Sequence, residues 1–452
     1  MRRAWLLALL LAVLGAVRPA RAKDTCLAGE ASLGDRRAFA ALRDATETAC
    51  PCATARSRGA YQRCARRALR TALHGKSLRR ACKATAADLN KGATCGSERV
   101  TCAHQGTTPS CRVVPASRCQ DTVDTQAAVC EHETHCIDVL ERTAATCLDV
   151  QAPGPYAVGV RVVRFTKKSV VDPTADRVLD TYVWYPAVAG TGTPSRDGER
   201  DADIDPSSGP YPLLLFSHGA CGIPNQSDFL TAHLATYGFV VAAPPHPGNQ
   251  GFDFPGCFSI ASVLNSVRER PADIIFVTDQ LLAATADSGS PFHGVIDPAR
   301  IGIAGHSLGG NTTYRVAIQD SRYRAALAMA PAGPQPLSIP SMVMLATNDT
   351  VLGALVGPNA KDAIRMAFAS SAPPRFELEI ADTGHFAFSD SCAGLFGEKC
   401  ATDPANLTQG EAHAMVLRYA VPFLMVEVAG DPRFAPFLEP PAPSGIVFER
   451  AP

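Results

Sequence analysis

The chain has 452 residues, 46% of them hydrophobic, and its 43 Lys+Arg balance 43 Asp+Glu for a formal net charge of zero. That length suits two or three domains with a sizeable core, and the charge balance excludes nucleic acid as the default partner. Sixteen cysteines, an even number, fit export to an oxidising compartment rather than residence in a reducing one.

The opening MRRAWLLALLLAVLGAVRPARA starts with Arg2 and Arg3, runs apolar from Ala4 to Val17 and ends on Ala20-Arg21-Ala22. It reads as a secretory signal peptide, residues 1–22, cut before Lys23, because the apolar run is well short of the ~20 residues of a spanning helix. The expected location is secreted, periplasmic or extracellular.

From 23 to about 150 the chain is dense in cysteine, alanine and arginine and holds twelve of the sixteen cysteines. With few aromatics, its stability must come largely from disulfides. RRAFAALRDATETAC and GAYQRCARRALRTALHG carry apolar residues at three- and four-residue spacing and predict short helices. TCAHQGTTPSCRVVPASRCQ predicts irregular, turn-rich chain. His132-Glu133-Thr134-His135-Cys136 looks superficially like a zinc motif, but H-E-x-x-H needs its histidines four apart on one helical face and these are three apart. A disulfide scaffold without metal is the expectation. The arginines of the first half suit either contact with an anionic cell-wall or lipid surface or a plain solvated face.

The Pro/Gly cluster at Gln151-Ala152-Pro153-Gly154-Pro155 marks a boundary, so 151–452 forms the second domain. VGVRVVRF and RVLDTYVWYP predict strands, followed by a polar loop from Ala189 to Pro210. PLLLFSHG predicts a buried central strand, FLTAHLATYG a helix closed by Gly238, and FVVAAPPHPGN another buried strand. Next come a helix from Arg270 to Ala284, the strand RIGIAG, a helix after Ser307, the strand SMVMLATND, the helix KDAIRMAFAS, the strand RFELEIADTGH and a helix from Thr408 to Val428. This α/β alternation predicts a mostly parallel sheet covered by helices on both faces.

Within RIGIAGHSLGGNTTY, Ser307 falls between strand and helix, the setting of a nucleophile elbow, where Gly305 and Gly309 remove side chains that so sharp a turn cannot hold. Gly310 lets the following helix pack closely. A serine hydroxyl needs a base, and the base an orienting acid. Asp349 ends an apolar strand and His385 follows the next, so Ser307, Asp349 and His385 stand in the order this architecture uses. Asp382 and Asp390 flank His385 but end no buried strand. His306 should point away from the hydroxyl, and His246 and His293 have no acid in sequence order. Two backbone N–H donors are needed for an oxyanion. Leu308, next after the nucleophile, supplies one, and Ala220, after His218-Gly219, the other.

These blocks resemble exported α/β-hydrolases related to platelet-activating factor acetylhydrolases and dienelactone-hydrolase-like esterases, and more distantly cutinase-like polyester hydrolases. The resemblance rests on TYVWYPA, LFSHGACG, LATYGFVVAAPPHPGN, RPADIIFVTDQL, IDPARIGIAGHSLGG and HFAF, and spans about Tyr156 to Gly430. It implies an α/β-hydrolase fold with Ser307 as nucleophile, Asp349 as acid, His385 as base and Ala220 and Leu308 as oxyanion donors. Relatives often carry aspartate where Pro245 stands. Dienelactone hydrolases use a cysteine nucleophile, so lactone specificity is not implied. The expected activity is that of a serine carboxylic-ester hydrolase, without metal or organic cofactor, acting on short-chain or lipid-type esters. A polyester or lipid-surface hydrolase with an N-terminal binding module, and a noncatalytic binding protein on the same fold, are the alternatives.

Four cysteines remain in the second domain. Cys392 and Cys400 bracket a stretch whose Gly394 and Gly397 allow the chain to fold back, which pairs them and leaves Cys221 with Cys257, although crossed pairings stay open. A loop that short is stabilised by about 2.5 kcal/mol in the chain-entropy view.

Overall fold

The computed structural model describes residues 26, 32–74, 78–89, 92–106, 110–130, 133–136, 147–390, 407–439 and 446–451. The signal-peptide segment, His132 and the Cys392–Cys400 pair lie outside them. The chain divides into two compact units, Met1–Leu148 and Asp149–Pro452.

In the first unit, helices α1 (Ser32–Ala49), α2 (Arg58–His74) and α3 (Lys83–Leu89) appear where the apolar spacing placed helices. Phe39, Leu42, Leu69, Leu78 and Ala86 make a small core with Cys82. Disulfides join Cys26–Cys82, Cys50–Cys64, Cys52–Cys95, Cys102–Cys119, Cys111–Cys136 and Cys130–Cys147. The turn-rich stretch expected to be irregular is instead a three-stranded antiparallel sheet, β1 (Val100–Gly106) between β2 (Ser110–Val114) and β3 (Thr125–Cys130). Its strands are short and polar, and cysteines rather than apolar alternation hold them, so the period-2 signal is missing from the sequence. In the metal-like motif, Cys136 is bonded to Cys111, the His135 ring meets Tyr61 Oη at 2.5 Å, and Glu133 accepts the Leu148 N–H.

The second unit is built on an eleven-stranded sheet. In chain order its strands are β4 (Ala157–Lys168), β5 (Asp176–Ala187), β6 (Thr193–Ser195), β7 (Gly198–Arg200), β8 (Tyr211–Ser217), β9 (Val240–Ala243), β10 (Ile296–His306), β11 (Tyr323–Met329), β12 (Ser341–Ala346), β13 (Arg375–Ile380) and β14 (Ile446–Ala451). Their spatial order is β14-β13-β12-β11-β10-β8-β9-β5-β4-β7-β6. From β9 through β8, β10, β11 and β12 to β13 all pairings are parallel, while β5 and β14 run antiparallel to their neighbours. This is an α/β-hydrolase fold. The polar loop expected from Ala189 to Pro210 contains the β6–β7 hairpin, which extends the sheet edge, and neither the central strand β11 nor the edge strand β14 was expected from the sequence.

Side chains alternate faces along each strand. Leu213 and Leu215 of β8 and Ile301 and Ile303 of β10 pack with Ile274, Val277 and Leu281 of α5 (Ile260–Ala286) and with Tyr314 and Val316 of α6 (Leu308–Gln319). On the opposite face a Cβ on Gly302 would lie 2.7 Å from Val428, in the turn that ends the helix Gln409–Leu424. After β8 the chain goes through α4 (Asp228–Thr236) to β9 on one side, then through α5 to β10 on the other. The β8/β10 junction is therefore a topological switch point, where the loops at the strand C-termini part and leave a crevice.

Gly309 sits at the tightest contact: an added Cβ would lie 1.9 Å from the Ser217 carbonyl oxygen. Gly309→Ala is therefore expected to cost at least about 3 kcal/mol or to prevent folding. Gly353, with nothing within 4 Å inside the short helix α7 (Thr350–Val356), should tolerate alanine and gain about 0.5–1 kcal/mol. Denaturant melts of the two variants decide this, and equal stability would refute the packing argument.

Candidate active site

Strand β10 ends at His306 and helix α6 starts at Leu308, so Ser307 alone makes the turn, with φ 58° and ψ −117°. A non-glycine residue holds such a backbone only where its surroundings over-determine it. Here they do: the Ser307 N–H donates to the Met329 carbonyl at 2.9 Å, and its own carbonyl accepts from Asn311 and Ala332. A Cβ on Gly305 would strike the Gly309 carbonyl at 2.3 Å, and one on Gly310 would strike Pro331 at 2.7 Å. The hydroxyl has no hydrogen-bond partner among the described residues.

Asp349 follows β12 as the N-cap of α7, where its Oδ1 accepts the Leu352 N–H at 2.9 Å. Its Oδ2 takes the Nδ1 proton of His385 at 2.8 Å. Both side chains are buried. Burial alone would raise the Asp349 carboxyl, but the hydrogen bond and charge of His385, with the Leu352 N–H, outweigh it and hold the group below its ordinary value. The carboxylate is thus ionised at neutral pH and fixes the His385 tautomer, leaving Nε2 with a lone pair and no partner among the described residues. Asp382 is exposed and its N–H goes to Thr347 Oγ1, while Asp390 receives the Phe229 N–H. Neither reaches His385.

His306 ties the His385 loop to the rest of the site. Its Nε2 donates to the His385 carbonyl at 3.0 Å and its Nδ1 accepts from Gln226 Nε2 at 3.0 Å, while Gln226 Oε1 accepts the Gly219 N–H at 2.9 Å. Burial pushes the His306 imidazole down to about 3, so it stays neutral and keeps both roles. One relay thus connects the loop after β8 with the loop after β13. Gln226 left no signal in the sequence, because a lone glutamine in a loop belongs to no motif.

The loop after β8 places Gly219 against Ser307: an added Cβ would lie 3.4 Å from Ser307 Cβ. Cys221, at φ 53°, is joined to Cys257. The N–H of Ala220 bonds to nothing among the described residues, and Leu308, as the first residue of α6, has no intrahelical acceptor for its own. Beneath the loop, His246 receives or gives a proton bond to Ser217 Oγ at 2.9 Å and meets Asp273 Oδ2 at 3.0 Å. This Ser217–His246–Asp273 chain supplies the acid that sequence order did not offer His246, but all three are sealed from solvent. His293 is exposed and apart.

A PET hydrolase-like family profile matches residues 224–399, which include Ser307, Asp349 and His385, and a profile for platelet-activating factor acetylhydrolase, isoform II, matches 179–251 around the Ala220 loop. The chain is 27% identical over 154 residues to platelet-activating factor acetylhydrolase of Cavia porcellus, covering 27% of this chain and 35% of the relative. It is 25% identical over 313 residues to Cutinase cut1 of Thermobifida fusca, covering 64% of this chain and 86% of that one. The ferulic acid esterase from Streptomyces cinnamoneus superposes with a TM-score of 0.55 at 23% identity, over 67% of this chain and 99% of that chain. The aligned segment spans only about a third of the acetylhydrolase relatives. The fold is that of the α/β-hydrolases. Within that class it is similar to the acetylhydrolase and the cutinase or PET hydrolase-like branches.

A fluorophosphonate, which reacts with activated serines, is expected to label Ser307 in the wild-type protein. His385→Ala should slow labelling by about 10⁴-fold and Asp349→Asn somewhat less, with Asp382→Asn within twofold of wild type. Labelling mapped to another serine, Ser217 for instance, would overturn the assignment.

Proposed function

We propose that the protein is a secreted serine carboxylic-ester hydrolase working through an acyl-enzyme. The observation that carries this reading is the Asp349–His385 hydrogen bond at the same sheet edge as the strained Ser307 turn. In the reading, Ser307 Oγ attacks the ester carbonyl as His385 Nε2 takes its proton. Asp349 stabilises the imidazolium, and the N–H groups of Ala220 and Leu308 hold the oxygen anion. His385 then protonates the departing alcohol, and water, deprotonated by the same nitrogen, releases the acid and restores Ser307. Residues of this chain suffice for every proton and charge in that sequence. Export is supported by the signal-like N-terminus and by the disulfides of both units.

Short-chain or lipid-type esters are the substrates we propose. One observation favours a neighbouring reading, that of a lipid-surface or polyester hydrolase: Phe252 is 86% exposed, Ile260 79%, Leu264 61% and Phe254 57%, all close in sequence to Cys257, which is bonded to the Ala220 loop. Large exposed apolar side chains gathered in one stretch of chain fit contact with another apolar surface. The N-terminal unit is a second candidate for surface contact.

p-Nitrophenyl esters of graded acyl length test the activity: wild type should turn over the short esters, and Ser307→Ala should lose about 10⁴-fold or more. An alanine variant retaining a tenth of the rate would end the proposal. A chain starting at Asp149 should keep nearly the full rate on soluble ester. Phe252→Ser with Ile260→Ser should lower release from an insoluble film severalfold while leaving the soluble rate unchanged. Parallel losses on both substrates would count against a surface role.

A further inference from the structure

The Gly219 carbonyl, in the loop after β8, accepts three hydrogen bonds. His218 Nδ1 donates at 2.8 Å, Arg270 Nη2 at 3.1 Å and the Gly222 N–H at 3.1 Å. This carbonyl and the Ala220 N–H belong to one planar peptide unit and point in opposite directions. Whatever fixes the carbonyl therefore aims the N–H. A donor on the oxygen side also draws electron density through the amide and strengthens the N–H as a donor, the cooperative effect of chained hydrogen bonds.

Arg270 is unusual among the three donors. Its side chain is wholly buried, and no carboxylate lies within ion-pair distance of it among the described residues, although Lys167 and Arg177 nearby both pair with Asp273. Its guanidinium is spent instead on neutral acceptors: the His218 carbonyl, the Gly219 carbonyl, Asn249 Oδ1 at 2.8 Å and Ser266 Oγ at 2.5 Å. Burial pushes the group down to about 9, so it is still a cation at neutral pH. A buried cation held by dipoles rather than by a counter-ion costs stability. Its fork reaches two successive carbonyls of one loop, a geometry that a lysine's single nitrogen cannot reproduce. His218, kept neutral by burial, has no partner for its Nε2 among the described residues, while its Nδ1 serves the same carbonyl.

We propose that Arg270 is a positioning residue for ester hydrolysis, which locks and polarises the Gly219–Ala220 peptide so that the Ala220 N–H is aimed at the oxyanion before reaction. The inference rests on the serine-esterase reading above. Preorganised donors act on the charge of the transition state and hardly at all on the ground-state ester. Loss of Arg270 should accordingly appear in kcat, with KM nearly unchanged.

The test uses the full chain with Arg270→Met, Arg270→Lys and Asn249→Ser, the last removing one anchor of the guanidinium. Each is measured for kcat and KM on a short soluble ester. Each is also measured for binding of a trifluoromethyl ketone, whose adduct with Ser307 carries an oxyanion, and of the matching ether, which fills the site without one. Removing one oxyanion donor outright costs about 10²–10³-fold. Mis-aiming it by Arg270→Met should cost about 10- to 100-fold in kcat and a similar factor in ketone affinity, with ether binding unchanged. Arg270→Lys should recover part of that loss, and Asn249→Ser should show a smaller loss of the same pattern. If Arg270→Met does not melt cooperatively, the same comparison on Arg270→Lys and Asn249→Ser decides. The proposal falls if the folded variants keep kcat within twofold of wild type, or if ketone and ether affinities drop together. Wild-type protein that neither labels at Ser307 with a fluorophosphonate nor hydrolyses the ester overturns the esterase reading and this inference with it. Normal labelling and turnover in wild type, with unaffected variants, overturns the inference alone.

Discussion

The site depends on how closely the first turn of α6 lies on the end of β8. Gly309 passes so near the Ser217 carbonyl that no side chain fits between them. That contact lets the chain leave β10, turn on one residue and descend as a helix beside the neighbouring strand. Without it, Ser307 would not be held at φ 58° between the end of β10 and the first turn of α6. Gly305 and Gly310 meet the same demand from either side, each against backbone or proline atoms that cannot yield. The strain is local, and the packed sheet around it, with Leu213, Leu215, Ile301 and Ile303 wholly buried, supplies the stability that sustains it.

Beneath this turn lies a layer of buried polar groups of a kind that hydrophobic cores usually exclude. Ser217, His246, Asp273 and Arg270 are sealed from solvent, and Lys167, Arg177 and Glu269 close the layer on one side. Burying so many charges is poor value as a source of stability, since desolvation offsets most of the attraction. Directionality is what such a layer provides. Each hydrogen bond fixes an angle, and those that end on the His218 and Gly219 carbonyls fix the orientation of the peptides facing Ser307. The Gln226–His306 relay does the same between that loop and the backbone of His385. The buried histidines His218, His246 and His306 are held neutral by burial, so their donor and acceptor roles do not change over the ordinary pH range.

The two units solve the stability problem by different means. Asp149–Pro452 buries two faces of a large sheet under helices. Among its described residues Met1–Leu148 has only small apolar clusters, such as the one around Phe39 and Leu69, and covalent links take the place of burial. Polar strands are sufficient there because Cys102, Cys111 and Cys130 pin each of them to a different segment.

How much of this was written in the sequence differs from element to element. Most parallel strands were legible because burial on both faces leaves continuous apolar runs such as PLLLF and MVML, but β11 was not, because the alanine-rich YRAALAM reads equally well as helix; Ser307 was legible because a one-residue turn tolerates only glycine at Gly305 and Gly309. Asp349 and His385 could be named from order along the chain, since each ends or follows a buried strand of the same parallel sheet and so arrives at the same edge. The β6–β7 hairpin and the cysteine-pinned strands of the first unit were not legible, because short polar strands carry no alternation to read, and β14, IVFERA, is too short for its alternating exposure to stand out as a period. Nor were Gln226, Arg270 and the Asp273 partner of His246. Periodicity and motif spacing are properties of neighbours along the chain, whereas these side chains acquire their partners only when a helix, a loop and two strand ends far apart in sequence close over one another. That closure, and the desolvation it brings, is decided by tertiary packing alone.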